Sequence, residues 1–280
     1  IIPSDYMIAR MAQEDMLLPL NFDNIPNYQY IDESFRGLYY DPNDEYSVPY
    51  TYGVVGIIYN ANVVDEADAT GWDLMWNEKY SGKILQFNNS RDAFGIALKY
   101  LGYSVNTTNE DEIREAYQLI ADAWSQGVYQ GKGMDEIFQI MEGGNLAIAT
   151  YYAGDFLTMY EANPDLAFVI PEEGSNWFVD SMCILKDAQN VDEAHEWINF
   201  IASTESNLKN MDFIWYASPN TEALEQYPAY YEETYGEPLD MDLYEIMAAP
   251  DSVLENCSMY ENLPADTLAL YNDLWIELGT

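Results

Sequence analysis

Aromatic and acidic side chains dominate the groups in this chain that can do chemistry. There are 25 tyrosines and 7 tryptophans beside 49 acidic residues, against 10 lysines and arginines and one histidine. A ring face attracts an ammonium through its quadrupole, and a carboxylate adds a charge-assisted hydrogen bond. A flat aromatic slot with an acid at each end therefore suits an organic cation whose charges are joined by methylenes. Ordinary packing accounts for most of the rings, and solubility or adaptation to salt for most of the net charge of −39. The stretch after Lys209 contains no lysine or arginine at all. Such a field repels nucleic acid and anionic lipid and draws cations, so neither of the former is an expected partner.

Catalytic signatures are missing. The chain has no GxSxG elbow, P-loop or GxGxxG fingerprint. His195, between Ala194 and Glu196, reads as a surface residue in mid-helix. A zinc site needs more His or Cys in one cluster than this chain carries. Asp41, Asn43 and Glu45 mimic the start of a calcium loop, but Tyr46 replaces the required glycine, so the segment reads as a surface turn. No metal or cofactor is expected. Carboxylates are so abundant that paired carboxylates give a glycosidase no positive support. Cys183 and Cys257 allow one disulfide or two free thiols. No run approaches the length of a membrane span.

The 280 residues suffice for one large domain or two modest ones. Short apolar runs at 54–59, 84–87, 146–151, 167–170 and 182–185 read as strands. Asn109 reads as an N-cap, with Glu112 completing a capping box ahead of a helix bearing Ile113, Ala116, Tyr117, Ile120 and Trp124. A second helix is predicted over 191–203, with Ala194, Trp197, Ile198 and Ile201 on one side. A last helix begins at Pro264 and carries Leu268, Tyr271 and Trp275. This alternation predicts an α/β fold with largely parallel sheets.

Several segments, in order, resemble the spermidine/putrescine-binding proteins of bacterial ABC importers. They are Ile2-Pro3-Ser4-Asp5-Tyr6, Asp41 through Tyr50, Gly53 through Asn60, Gly71 through Trp76, Tyr80 through Ile84, Ala97 through Ser104, Trp177 through Ser181, and Tyr216 through Asn220. The resemblance implies a two-lobed periplasmic-binding-protein-like fold with crossover strands near Tyr52–Gly56 and Trp177–Ser181. Lobe one would hold 1–55 and 177–222, and lobe two 56–176 and 223–280, with ligand held in the interlobe cleft. It further implies that a strand–helix unit of lobe one precedes Ile1, through which the protein is tethered to the membrane as a lipoprotein. The location would be extracytoplasmic, the partners an ABC permease and its ATPase, and the state a monomer without enzymatic activity. Carried over residue by residue, Asp180 is the acid that grips an amine. Ser4 and Tyr6 line the cleft from lobe one, and Phe178 is an aromatic wall. Asp92 is an acid at the far ligand end, and Asn89 stands where some members carry a second carboxylate, which leaves a shorter diamine open. Tyr151 is a stacking ring within one residue's ambiguity, and Tyr216 and Glu261 fit two further positions.

Alternatives remain at this point. Tyr151-Tyr152 after an apolar strand resembles the paired tyrosines of ferric-ion-binding members of the same superfamily. A secreted hydrolase would need two carboxylates in one cleft with one pKa raised. A carrier for an amino acid or thiamine would differ only in its cleft.

Overall fold

The structure is a computed structural model that describes residues 1–279. Helix α1 (Asp5–Gln13) and three 3-10 turns precede the long strand β1 (Ser47–Asn60). Next come β2 (Ile84–Phe87), α2 (Ser90–Tyr100), α3 (Glu110–Ser125), β3 (Tyr129–Gly133) and α4 (Glu136–Glu142). They are followed by β4 (Ile148–Tyr152), α5 (Ala153–Ala162), β5 (Leu166–Val169) and β6 (Trp177–Cys183). The remainder is helical: α6 (Val191–Ile201), α7 (Thr204–Ile214), α8 (Thr221–Tyr235), α9 (Met241–Met247), α10 (Asp251–Leu254) and α11 (Ala265–Glu277). No helix among the described residues is long and apolar enough to cross a membrane.

These elements form two compact units. Unit 1 holds 1–53, 178–249 and 259–262; unit 2 holds 54–177, 250–258 and the segment from Leu263 onward. The chain passes between units within β1, at Gly53–Val54, and at the start of β6, at Trp177–Phe178. The sequence reading put 223–280 together in lobe two, but 223–249 belongs to unit 1. There α8 packs on α7, and Tyr244 stacks on Tyr227 and donates its hydroxyl to the Leu224 carbonyl at 3.0 Å. A helix's partner lies outside its own periodicity, so no local signal marked this assignment.

In unit 2 the strands run in the order β3-β2-β4-β1-β5. β2 is parallel to β3 and β4, whereas β1 is antiparallel to β4 and β5. The sheet is therefore mixed rather than largely parallel, because β1 runs between β4 and β5 against their direction. β3 went unread in the sequence because Gly131, Lys132 and Gly133 break any apolar run, as an edge strand permits. Gly56 is required by close approach: a Cβ there would lie 2.3 Å from the Phe168 ring and 2.7 Å from the Val169 carbonyl oxygen. Trp72, Phe87, Phe94 and Phe156 fill the unit 2 core.

In unit 1, α6 turns the predicted Ile198 inward with Ala194 and Ile201 half-buried, but Trp197 lies outside that face and His195 inside it. Ile198 is buried, but Trp197 is 47% exposed, and His195 is only 3% exposed rather than on the surface. The Asn21 backbone N–H donates to His195 Nε2 at 2.9 Å, and Nδ1 meets the Val191 carbonyl at 2.7 Å. The ring is thus a neutral tautomer that bolts α6 to the turns beginning at Phe22. Asn109 caps α3 by accepting from the Asp111 N–H, and its amide donates to Glu112, so the box closes through side chains. Asp41 is a turn residue: its carboxylate accepts backbone N–H groups from Glu45, Tyr46 and Ser47. Both cysteines are free thiols.

His195→Ala takes the acceptor from the part-buried Asn21 N–H bond and removes a buried ring. Urea unfolding is expected to show a loss of about 1–3 kcal/mol, against about 0.5 kcal/mol or less for Trp197→Ala on the exposed face. Equal effects would mean the ring is not a structural bolt.

Candidate functional site

The candidate acid Asp180 lies on β6 in unit 1. Ser4 forms an antiparallel bridge with it, and the Ser181 N–H donates to the Pro3 carbonyl at 3.1 Å, so the strand is pinned beside the start of α1. Asp180 Oδ1 is buried and accepts no hydrogen bond. Burial pushes this carboxyl above the usual range, and the Ser4 hydroxyl opposes the shift. The Tyr50 phenol is raised as well, first by burial and then by the charge of Asp180, which marks Tyr50 as an electrostatic neighbour.

A second carboxylate sits behind the first. Asp5, in the first turn of α1, is 1% exposed. Its Oδ2 accepts the Val179 N–H at 3.1 Å, and its Oδ1 accepts from the Tyr6 N–H and, at 3.4 Å, from the Tyr39 hydroxyl. Burial pushes its carboxyl up to about 7, with the charge of Asp180 adding to the rise and these hydrogen bonds opposing it. Sequence reasoning passed over Asp5, since an acid in a helix's first turn is an ordinary complement to the macrodipole. Only the folded chain shows that it is buried.

Rings flank these acids. Tyr6 meets Tyr260 edge-on at 6.4 Å, and the Tyr39 hydroxyl also donates to the Tyr260 carbonyl, one residue before the exposed Glu261. Phe178 and Tyr216 lie 6.3 Å apart, and both press on Gly53, where a Cβ would stand 3.1 Å and 3.2 Å from them. Tyr216 follows Trp215, whose left-handed backbone (φ 57°) ends α7. Unit 1 therefore gathers Ser4, Tyr6 and Asp180 around one strand pairing and sets Phe178 against Tyr216.

The unit 2 candidates are arranged differently. Asn89 is the N-cap of α2: its Oδ1 accepts the Arg91 N–H at 3.0 Å. Asp92 is buried in the first turn of α2, and the Tyr152 hydroxyl lies 3.4 Å from its Oδ2. Tyr151, named as the stacking ring, is 3% exposed and packs on Phe87 and Phe138. Adjacent strand residues face opposite ways, so Tyr152, not Tyr151, reaches Asp92. The Tyr151 phenol is raised by burial and then by Asp155 and Asp135, which disfavours a phenolate ligand for iron. No cluster of three His, Cys, Asp or Glu suited to a metal occurs among the described residues. Elsewhere in unit 2, Lys132 Nζ lies 4.2 Å from the Trp275 ring centre and 5.6 Å from that of Trp124, an ammonium held by indole faces within the chain itself.

Residues 1–234 match the family described as bacterial extracellular solute-binding protein. The spermidine/putrescine-binding periplasmic protein of Escherichia coli is 29% identical over 223 residues, which is 80% of this chain and 64% of that protein. The chain thus spans a little under two thirds of that relative's length. A solved structure of the spermidine/putrescine ABC transporter substrate-binding protein of Streptococcus pneumoniae superposes with a TM-score of 0.84 at 31% identity, covering 99% of this chain and 82% of that one. A solved lipoprotein of Treponema pallidum gives a TM-score of 0.84 at 28% identity, again covering 99% and 82%.

The raised Asp5 carboxyl has a signed consequence for stability. An unfolded aspartate loses its proton near 3.8, whereas this one keeps it to about 7. The group therefore favours the folded state below 3.8, and that contribution is lost as pH rises towards 7. Ligand-free protein is expected to melt lower at pH 8 than at pH 5, and Asp5→Asn is expected to shrink the difference. Parallel melting profiles for the two proteins would show that Asp5 does not titrate in this window.

Proposed function

Because this chain belongs to the bacterial extracellular solute-binding protein family, we propose that it captures a linear polyamine, spermidine or putrescine, outside the cytoplasm and delivers it to the permease of an ABC importer driven by an ATPase. The protein acts as one copy and does no covalent chemistry on its cargo. The observation that carries the reading is the buried Asp180 Oδ1, an acceptor without a donor beside aromatic rings. An ammonium has three donors and no acceptor, so it satisfies this oxygen and reverses the penalty of burying the carboxylate. The methylenes of such a ligand suit the faces of Tyr6, Phe178 and Tyr216. Asp92, with Tyr152 beside it, is the candidate acid that unit 2 carries. The net charge of −39 speeds encounter with a polycation, an effect that salt screens. The relatives' names support the ligand class, and the family supports a binding role over turnover.

Isothermal titration calorimetry of the intact protein with spermidine and with putrescine tests this. Saturable binding is expected, and Asp180→Ala is expected to weaken it by roughly 30- to 5,000-fold, the equivalent of about 2–5 kcal/mol for losing one partner of a buried charge pair. Asp92→Asn is expected to weaken the longer or the shorter amine selectively. No heat with either amine from folded protein sinks the reading.

A further inference from the structure

Asp5 and Asp180 form a pair of carboxylates with no cation between them. The Val179 N–H bonds to Asp5, and Asp180 is the next residue on the same strand. Ser4, the bridge partner of Asp180, is the residue before Asp5. The two acids are thus locked together by β6 on one side and the head of α1 on the other. The groups that face Asp5 are Asp180 from β6, Tyr6 from α1, and Tyr39 and Tyr40 from the segment ahead of β1. Tyr40 bonds Ser181 at 3.1 Å and lies next to Asp41, another acid. Each of these groups is acidic or neutral. The ionised pair is therefore unfavourable, because two buried negative charges repel and each has lost its hydration.

We propose that Asp5 is a positioning residue for amine capture, and that an ammonium arriving at Asp180 expels the proton which the buried pair otherwise retains on Asp5. The inference rests on the polyamine reading of the site. Its bookkeeping is simple: the protein–proton complex plus an alkylammonium gives the protein–alkylammonium complex plus a proton released to solvent. The incoming positive charge stabilises both carboxylates, so Asp5 ionises with the Val179 and Tyr6 N–H donors already in place. Ionised Asp5 then holds the Val179 N–H and the Tyr6 N–H, keeping the acid and the ring of the site in register. The direction of the Asp5 shift agrees, since burial and then the charge of Asp180 raise it, up to about 7. Affinity should rise with pH across this range, until the amine itself loses its charge near the range of lysine, about 10.

Calorimetry of the intact protein with putrescine, in phosphate and in Tris at pH 7, measures protons released per ligand. The expected result is about half a proton from wild type, and a Kd that falls several-fold between pH 6 and pH 8. Asp5→Asn should remove most of the release and flatten the pH profile. Tyr39→Phe removes one donor to the ionised form and should shift the profile to higher pH, which supplies a readout should the asparagine variant fail to fold. Binding without proton release, or unchanged release in Asp5→Asn, overturns the proposal while leaving the polyamine reading standing. Absence of binding at every pH overturns both.

Discussion

The hydrogen bond from the Val179 N–H to Asp5 is the constraint on which the arrangement of unit 1 depends. It ties the head of α1 to β6, and the candidate ligand groups Ser4, Tyr6, Phe178 and Asp180 all lie within two residues of one of its two ends. A buried carboxylate is costly, and backbone donors and a phenol offset that cost only in part, so burial still pushes the Asp5 carboxyl up to about 7. The neighbouring Asp180 has no comparable set of donors. That inequality separates the two acids: Asp5 is satisfied by the protein, and Asp180 Oδ1 is left for something from outside.

Surface charge plays a different part. The ion pairs among the described residues lie at the surface, exposed on both sides as in Lys209 with Glu205 except where half-buried Asp68 meets Lys79, so these pairs contribute little to stability. Ten basic residues cannot neutralise forty-nine acids in any case. The fold is held instead by cores such as the Trp72, Phe87 and Phe94 cluster and by polar bolts such as His195. The excess of tyrosine is largely consumed by packing as well. Tyr227, Tyr230, Tyr231, Tyr235 and Tyr244 pack against one another around α8, leaving a smaller set, Tyr6, Tyr50 and Tyr152, near the candidate acids.

Asn89 and Tyr151 show how a residue can satisfy a sequence pattern and still be engaged elsewhere. Asparagine at the start of a helix is favoured as a cap whatever else it does, and here the cap bond uses its oxygen. Tyr151 and Tyr152 are interchangeable in a linear reading, yet strand alternation sends one into the core and the other towards Asp92.

The sequence by itself determined the α/β class, the apolar runs within or overlapping β1, β2, β4 and β5, the caps and turns at Asn109 and Asp41, and the family resemblance. Each of these rests on local periodicity, local hydrogen bonding or an ordered set of short segments. The tertiary structure alone decided the rest. It set β1 antiparallel in a mixed sheet, moved 223–249 into unit 1, buried His195, and placed Asp5 beside Asp180. These are pairings between residues as far apart as 174 positions in the chain. No local pattern encodes them, because a carboxylate or an imidazole becomes a bolt, a neighbour or a binding group only through what the fold packs around it.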